Sequence, residues 1–502
     1  MIPAPKSIKY GTGRMPFPRN FTVYSHPSQK DKLDVLCLRL GQYCGISAEY
    51  SFTEDENAAF LSILKLEKGR EGEYRLSVSA GGVKILASDD DGVNSALVTL
   101  INFIRESGNV LRFAEIEDWP RFSFRSQLLD SVRHYFSIEY LERIVEQLSL
   151  LKCNHIHWVC CNDQAWRVPV KGWPKLTEAC KEECYTEEQI KYFVAFAAAR
   201  GIEIIPEFEI PGHSSAAVEA YPELCCSSKQ IKAPKTGGIF PYILCGGKDI
   251  TYSFIDDVID SFCELFPGEY IHIGGDEAPK EEWEKCPLCA AKIKVLGLKD
   301  LDELQCHMAN YAAARLREHG RNAVCWNETL LASNADPSIT VQYWAEMGAK
   351  KYTFDEVSAS GREVIFSPFR PFYFDYHPAM NSLKDAFDAK PEIGGKPVKS
   401  IIGYESCLWT EQVATGERFE YMLFPMVFAQ VENAWNEERC WEDFTKRCSA
   451  WMAFLDTQAI NHMELEEANP TGLRRSAEMA LFAVEMQRRL LPMKKAEKEI
   501  RK

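Results

Sequence analysis

The sequence predicts an α/β protein. A (β/α)8 TIM barrel over residues 119–440 is preceded by a small α/β domain, 1–118, and followed by a C-terminal helical cap, 441–502. Three observations lead there. Eight short apolar runs alternate with helical patterns between Gln127 and Leu408, the order that closes a parallel sheet into a barrel. The chain carries no G-x-G-x-x-G or phosphate-loop pattern, which the alternative, an open doubly wound sheet, would make natural. At 502 residues, 46% hydrophobic and 26% charged, it has material for more than one core.

In the first domain, Phe21 to Tyr24 and Ala59 to Leu66 read as strands. Tyr74 to Ser79 and Val83 to Ala87, split by Gly81-Gly82, read as a hairpin. Asp90 to Ile104 has helical apolar spacing and stops near Gly108. No nucleophile or ligand cluster stands out here, so the domain reads as scaffolding. Trp119-Pro120-Arg121-Phe122 marks the boundary.

The barrel strands are expected at Gln127 to Asp130, Asn154 to Cys160, Ile202 to Phe208 and Tyr270 to Ile273. The other four are Ala323 to Trp326, Thr340 to Trp344, Val364 to Ser367 and Ile401 to Leu408. Between the first two, Ile138, Leu141, Ile144, Val145, Leu148 and Leu151 repeat at helical spacing after Ser137. Thr186-Glu187-Glu188-Gln189 is a capping-box pattern whose helix ends at Gly201, and Leu301 to Glu318 ends before Gly320. After Trp435 the pattern is helical to the end, with Ala477 to Lys502 amphipathic and basic at its tail.

A net charge of −15 argues against nucleic acid or an anionic membrane as partner. No apolar window is long enough to span a bilayer, and the first residues, Met-Ile-Pro-Ala-Pro-Lys, lack a signal peptide's apolar core. The 18 cysteines form no small secreted framework. Many, such as Cys37, Cys153, Cys160, Cys263 and Cys325, lie in apolar runs where Cys acts as a small core residue. A reducing cytoplasm is the simplest expectation, with a removed export signal as the alternative. Cys286-Pro-Leu-Cys289 has the form of half a zinc site, but no second pair follows at zinc-finger spacing. Loop packing is therefore expected, with no metal and no cofactor.

A barrel places its chemistry at the C-terminal ends of its strands. In order, those ends deliver Asp130, Arg133 and His134; Trp158, Asn162, Asp163, Trp166 and Arg167; then Glu207, Glu209 and His213. Asp276 and Glu277 follow the fourth strand, and Trp326, Asn327 and Glu328 the fifth. Trp344 and Glu346, Tyr373 and Asp375, and Trp409 and Glu411 complete the ring. The centre of this set is His272-Ile-Gly-Gly-Asp-Glu277. Its two glycines let the backbone turn sharply and approach a neighbour, and they present two carboxylates suited to acid/base work. An Asp-Glu pair can equally begin a solvated loop and cap a helix. The tryptophans tilt the balance toward carbohydrate, because aromatic faces stack on sugar C–H faces while carboxylates and Arg take hydroxyls.

These motifs resemble family 20 glycoside hydrolases, the β-N-acetylhexosaminidases, over most of the chain. The His272 to Glu277 motif resembles the family signature. Leu129-Asp-Ser-Val-Arg-His-Tyr-Phe136 is similar to its first-strand motif, with Arg133 on the terminal sugar's hydroxyls. Ile205-Pro-Glu-Phe-Glu-Ile-Pro-Gly-His213 is similar to the third, with His213 supporting the acid/base. The resemblance makes Trp326, Trp344 and Trp409 the walls of an acetamido pocket and Tyr373 a donor to the acetamido carbonyl. It makes Asp375 and Glu411 ligands of sugar hydroxyls. The second-strand motif departs from the pattern, with Val159, Cys161 and Asn162 where the family usually has His, Thr and Asp. Only Asp163 then remains to orient His213. Asn327 likewise stands where an acid is common.

What the resemblance implies is exo-acting, retaining removal of terminal β-linked N-acetylhexosamine. The substrate's own acetamido oxygen would attack through an oxazolinium ion, with Glu277 as acid/base and Asp276 as stabiliser. Two alternatives stand beside it. One is a sugar-binding barrel that has lost activity. The other is a metal-dependent amidohydrolase built on His155-Ile-His157 with His213 and His272.

Overall fold

In the computed structural model the described residues are 1–332, 334–344 and 361–500. The N-terminal part is a mixed sheet of seven strands in the order β1-β7-β5-β6-β4-β2-β3. These are β1 (Ser7–Pro16), β2 (Asn20–Tyr24), β3 (Glu49–Phe52), β4 (Leu61–Lys65), β5 (Tyr74–Ser79), β6 (Gly82–Ala87) and β7 (Val110–Asp118). The hairpin expected from sequence is β5–β6, antiparallel from Tyr74↔Ala87 to Ser79↔Gly82. Tyr74, Leu76 and Val78 alternate onto one buried face of β5, as period-two spacing demands. The helix Asp90–Glu106 is started by Asp89, whose side chain accepts from the Gly92 N–H. The helix Lys30–Cys44 and strands β1, β3 and β7 were not anticipated from sequence. β1 and β3 are largely exposed, so they carry no alternation of apolar and polar residues to read.

The rest is a closed parallel barrel with helices outside it. Its strands are β8 (Phe124–Asp130), β9 (His155–Val159), β10 (Glu203–Glu207), β11 (Tyr270–His272), β12 (Asn322–Trp326), β13 (Thr340–Tyr343) and β14 (Val364–Phe366). A short hairpin, β15 (Glu392–Ile393) with β16 (Lys396–Pro397), precedes the closing strand β17 (Ile401–Leu408). β17 pairs with β8 from Gly403↔Phe124 to Leu408↔Leu129. All eight barrel strands fall within a few residues of their predicted positions.

Alternate residues of each strand fill the barrel in layers. Phe124, Ile205, Val324 and Ile365 form an apolar layer near the N-terminal ends. Above it lies a polar layer in which His157 Nδ1 meets Glu405 at 2.9 Å and His272 Nδ1 meets Glu207 at 2.8 Å. The top layer, Leu128, Val159, Trp326, Tyr373 and Cys407, carries Trp344 and Trp409 packed against it. Outside, the helix Ile138–Leu150 is capped by Ser137, and Glu187–Ala198 carries the expected Thr186/Gln189 capping box. No helix among the described residues is long and apolar enough to cross a membrane. Cys180 and Cys184 are joined as a disulfide, and the other sixteen cysteines are in none.

The C-terminal segment is helical, as expected, with helices Trp441–Thr457, Leu465–Ala468 and Gly472–Ile500. The N-terminal sheet is tied to the barrel by a buried ion pair. Lys152, at the turn before β9, reaches Asp118 at 2.8 Å and the Tyr74 hydroxyl at 2.9 Å. Trp435 donates to the other Asp118 oxygen at 2.8 Å and lies 4.3 Å beneath the ammonium. Burial lowers the Lys152 pKa, and Asp118 opposes that shift. Lys152→Met should leave the Asp118 charge buried without its cation and cost about 3–5 kcal/mol, measured by urea unfolding.

Candidate active site

The strand-four turn is built as its glycines suggest. Gly274 has φ +64°, and a Cβ there would fall 1.7 Å from Glu209 Oε2. Gly275 has φ +105°, with a would-be Cβ 2.6 Å from Thr329 Oγ1. Glu209 accepts from the Gly275 N–H at 3.2 Å, so the third strand's carboxylate fixes the fourth strand's turn. Neither Asp276 nor Glu277 caps a helix; both turn toward His213. Two residues here occupy the left-handed region without being glycine, Glu277 at φ 43° and His213 at φ 45°. Such backbone costs of order 1–3 kcal/mol each and persists where the surroundings enforce it.

His213 is the hub. Its Nδ1 lies 2.8 Å from Asp163 Oδ2, and its Nε2 lies 3.7 Å from Asp276 Oδ2 and 3.6 Å from Glu277 Oε2. Asp163 is itself held by the Ser215 N–H at 3.0 Å and the Ser215 hydroxyl at 2.5 Å. Asn162 does not reach the histidine; its Oδ1 accepts from the Asp163 N–H at 2.8 Å. One aspartate therefore suffices to orient His213, despite the amide at 162. Burial disfavours the imidazolium, but Asp276, Asp163 and Glu277 more than offset it and raise the His213 pKa well above its ordinary value. Burial raises Asp276 to about 6, with Glu277 and Glu207 adding to the rise and His213 opposing it. The side-chain exposures separate the pair further, at 15% for Asp276 and 33% for Glu277. Asp276 sits deep, and Glu277 faces solvent.

Around this centre stand the aromatic residues. Trp326 and Trp409 are 6.0 Å apart, and Trp344 stacks on Tyr373 at 6.1 Å. Two indoles are pinned by acids that the sequence reading left without a role. Trp326 Nε1 donates to Glu207 at 2.8 Å and Trp344 Nε1 donates to Glu328 at 2.9 Å. Burial, and then Asp276, push Glu328 up to about 8. Their strand-end positions were the available signal. Arg133 lies 4.9 Å over the Trp409 ring and 3.4 Å from both Glu411 and Asp130. Those two acids keep it charged although it is buried. Asp375 adjoins Glu411, and burial together with that neighbour raises its pKa well above normal. Asp276 Oδ1 and Asp375 Oδ1 are buried and meet no hydrogen-bond donor among the described residues.

Four sequence expectations need correction. Trp158 packs outside the barrel against Tyr185, Phe193 and Phe266, so three strand-end tryptophans, not four, face the site. Trp166 is buried with its N–H on the Val168 carbonyl, and Arg167 caps the Ser131 and Val132 carbonyls. The His155-Ile-His157 pair does not converge with His213. His155 stacks on Phe124 at 4.3 Å, whereas His157 joins Glu207 and His272 in the polar layer. Cys286 and Cys289 do not merely pack a loop, for Cys226 and Cys245 join them. Trp344 is described, but Glu346 lies outside the described residues.

A sugar ring needs flat apolar faces beside donors and acceptors for its hydroxyls, and an acetal needs a proton on its leaving oxygen. Indoles, Arg133 with its acids, and the Asp276–Glu277 pair gather within one barrel mouth, a lining of the kind glycoside hydrolases use. Comparison with known proteins gives the family. The sequence model for the glycosyl hydrolase family 20 catalytic domain matches residues 122–438, and that for domain 2 of the family matches residues 1–119. The chain belongs to glycosyl hydrolase family 20. A beta-hexosaminidase of Porphyromonas gingivalis is 30% identical over 470 residues, covering 86% of this chain. This chain spans only 60% of that relative's length. The solved β-N-acetylhexosaminidase of Bacteroides fragilis has a TM-score of 0.84 at 26% identity, covering 95% of this chain and 99% of its own. The exo β-N-acetylglucosaminidase of Vibrio harveyi, solved in complex with N-acetylglucosamine, has a TM-score of 0.80 at 27% identity, covering 93% and 78%.

The Asp276 environment sets a pH dependence. Below about 6 the carboxylate takes a proton and loses its charge; above it the anion is present. If that anion acts in the reaction, kcat/KM should fall on the acidic side with a midpoint near 6. The residual activity of Asp276→Asn should lack that limb in the same pH profile.

Proposed function

We propose that the chain is an exo-acting, retaining β-N-acetylhexosaminidase that removes terminal β-linked N-acetylglucosamine or N-acetylgalactosamine by substrate-assisted catalysis. The observation that carries this reading is the closeness of the two acids. Asp276 and Glu277 are consecutive residues of one turn and face the same His213 nitrogen at 3.7 and 3.6 Å. An acid and a nucleophile working from opposite faces of the anomeric carbon would be separated by about 5 Å, across the bond they break. Adjacent acids sharing one histidine suit a different division of labour, in which the substrate brings the nucleophile.

In this reading Trp326, Trp344 and Trp409 fold the 2-acetamido group beneath C1, and Tyr373 donates to its carbonyl oxygen. That oxygen attacks C1 while Glu277 protonates the departing oxygen, giving an oxazolinium ion. Asp276 accepts from the acetamido N–H and stabilises the positive charge that grows there. Glu277 then takes a proton from water as the water opens the ring with net retention. His213, held by Asp163, places a positive charge beside both carboxylates. Arg133, Asp375 and Glu411 bind the terminal sugar's hydroxyls and close the pocket beyond it, hence the exo action. The hexosaminidase relatives and the N-acetylglucosamine bound by the Vibrio harveyi enzyme support the substrate class.

Electron withdrawal on the acetamido group tests the mechanism. An aryl glycoside series with mono-, di- and trifluoroacetamido groups should show steadily falling rates of C1–O cleavage. A flat series, with a sugar trapped covalently on a carboxylate, would make Asp276 or another acid the nucleophile. Separately, Glu277→Gln should slow a substrate with a poor leaving group by roughly 10²–10⁴-fold. It should slow cleavage of an acidic phenol leaving group far less, because that bond breaks with little protonation. Single-turnover measurement of the two substrates compares the losses.

A further inference from the structure

Away from the sugar pocket, Cys226, Cys245, Cys286 and Cys289 bring their sulfurs within 4.8 Å of one another. The Cys245 sulfur is 3.6 Å from Cys289 and 3.8 Å from Cys286, and Cys226 is 3.9 Å from Cys289. Those near-equal separations are not two disulfides in waiting, which would show two short pairs. They fit one shared centre: four thiolates at about 2.3 Å from a tetrahedral zinc stand about 3.8 Å apart.

The backbone around the sulfurs is shaped for the purpose. Cys245-Gly246-Gly247 folds against Cys286-Pro287-Leu288-Cys289 so closely that a Cβ on Gly247 would meet Cys289 N and Leu288 C at 2.3 Å. The Gly247 N–H is directed at the Cys245 sulfur. Cys286 and Cys289 begin the helix Pro287–Leu296, whose first-turn N–H groups favour negative charge. Cys245, Cys286 and Cys289 are buried and Cys226 is half-buried, so the centre is closed and presents no open coordination position for catalysis.

We propose that these four cysteines bind one zinc ion that clips together the two loops carrying the catalytic groups. Cys226 and Cys245 lie on the loop after His213, and Cys286 and Cys289 follow Glu277. The two loops already touch near the site. The Trp283 indole N–H donates to the Leu244 carbonyl at 2.9 Å, and a Cβ on Gly212 would lie 2.8 Å from the Asp276 carbonyl oxygen. Binding releases the thiol protons and forms four Zn–S bonds without redox change. Zinc takes four thiolates tetrahedrally with no redox chemistry of its own, and iron is the competitor.

The test reads metal directly, so its outcome does not depend on the hexosaminidase reading. Protein purified without metal-affinity steps or chelators should contain about one zinc per chain by elemental analysis. Titration with an organomercurial in the presence of a chromogenic chelator should release that zinc as the four thiols react. Cobalt exchanged into the site should give the visible bands of a tetrahedral tetrathiolate. The double variant C245S/C289S should lose the zinc, and Cys37→Ser, far from the cluster, should keep it. Should the double variant fail to fold, the wild-type stoichiometry and cobalt spectrum still decide. Wild-type protein that holds iron, that is free of metal with four titratable thiols, or that shows these cysteines as disulfides by non-reducing mass spectrometry would overturn the proposal.

Discussion

The hydrogen bond between Asp163 and His213 is the interaction on which the site depends. The barrel mouth gathers Glu207, Glu209, Asp276 and Glu328 in a buried region, and charges of one sign cannot all remain ionised there. His213 is the cation placed among them, with Asp163 behind it fixing the ring. With that imidazolium present, Asp276 still ionises only near 6. Without it, the buried acid would move further toward its neutral form. The two adjacent acids thus sit at different depths beside one cation, Asp276 the more buried and Glu277 the more exposed.

Backbone geometry enforces this arrangement. Gly274 can approach the Glu209 carboxylate only because it has no side chain, and the turn that follows carries Glu277 into the left-handed region. His213 is held in the same unusual conformation from the opposite loop. Strain at these two residues needs rigid support, which comes from the strand ends below and from contacts between the loops that bear them. A metal clip on those same loops, beyond the reacting groups, would stiffen them where the barrel itself no longer reaches.

Much of the barrel was legible in the sequence, because each strand is buried on both faces and reads as a bounded apolar run. The exposed β1 and β3 were not, since a strand on a solvated edge carries no such run. Within the site, the residues next to glycines and tryptophans were legible as neighbours at one barrel mouth. Trp158 was not separable from Trp326 by sequence, although one faces the helices and the other the pocket. Strand position decides this: Trp158 follows inward-facing His157, whereas Trp326 shares the parity of inward-facing Val324. The cysteine cluster was hidden for another reason. Its contacts between the Cys226/Cys245 loop and the Cys286/Cys289 loop span 41 to 63 residues, and only the folded loops bring them together.

The polar layer inside the barrel connects the scaffold to the shape of the pocket. Glu207 accepts from Trp326 at 2.8 Å, with His272 Nδ1 2.8 Å and His157 3.3 Å away. Burial opposes charge on His157, yet Glu405 and Glu207 raise it to about 10, so a cation balances this layer. An indole anchored to a buried carboxylate in such a network cannot rotate without leaving that charge unpaired, at a cost well above that of an ordinary hydrogen bond. Trp344 is held by its hydrogen bond to the buried Glu328, and Trp409 by the guanidinium stacked over it. The pocket walls are therefore rigid for electrostatic reasons as much as for packing. A mechanism that bends a flexible acetamido group into position requires walls of that kind, because proximity accelerates only when the surrounding groups hold still.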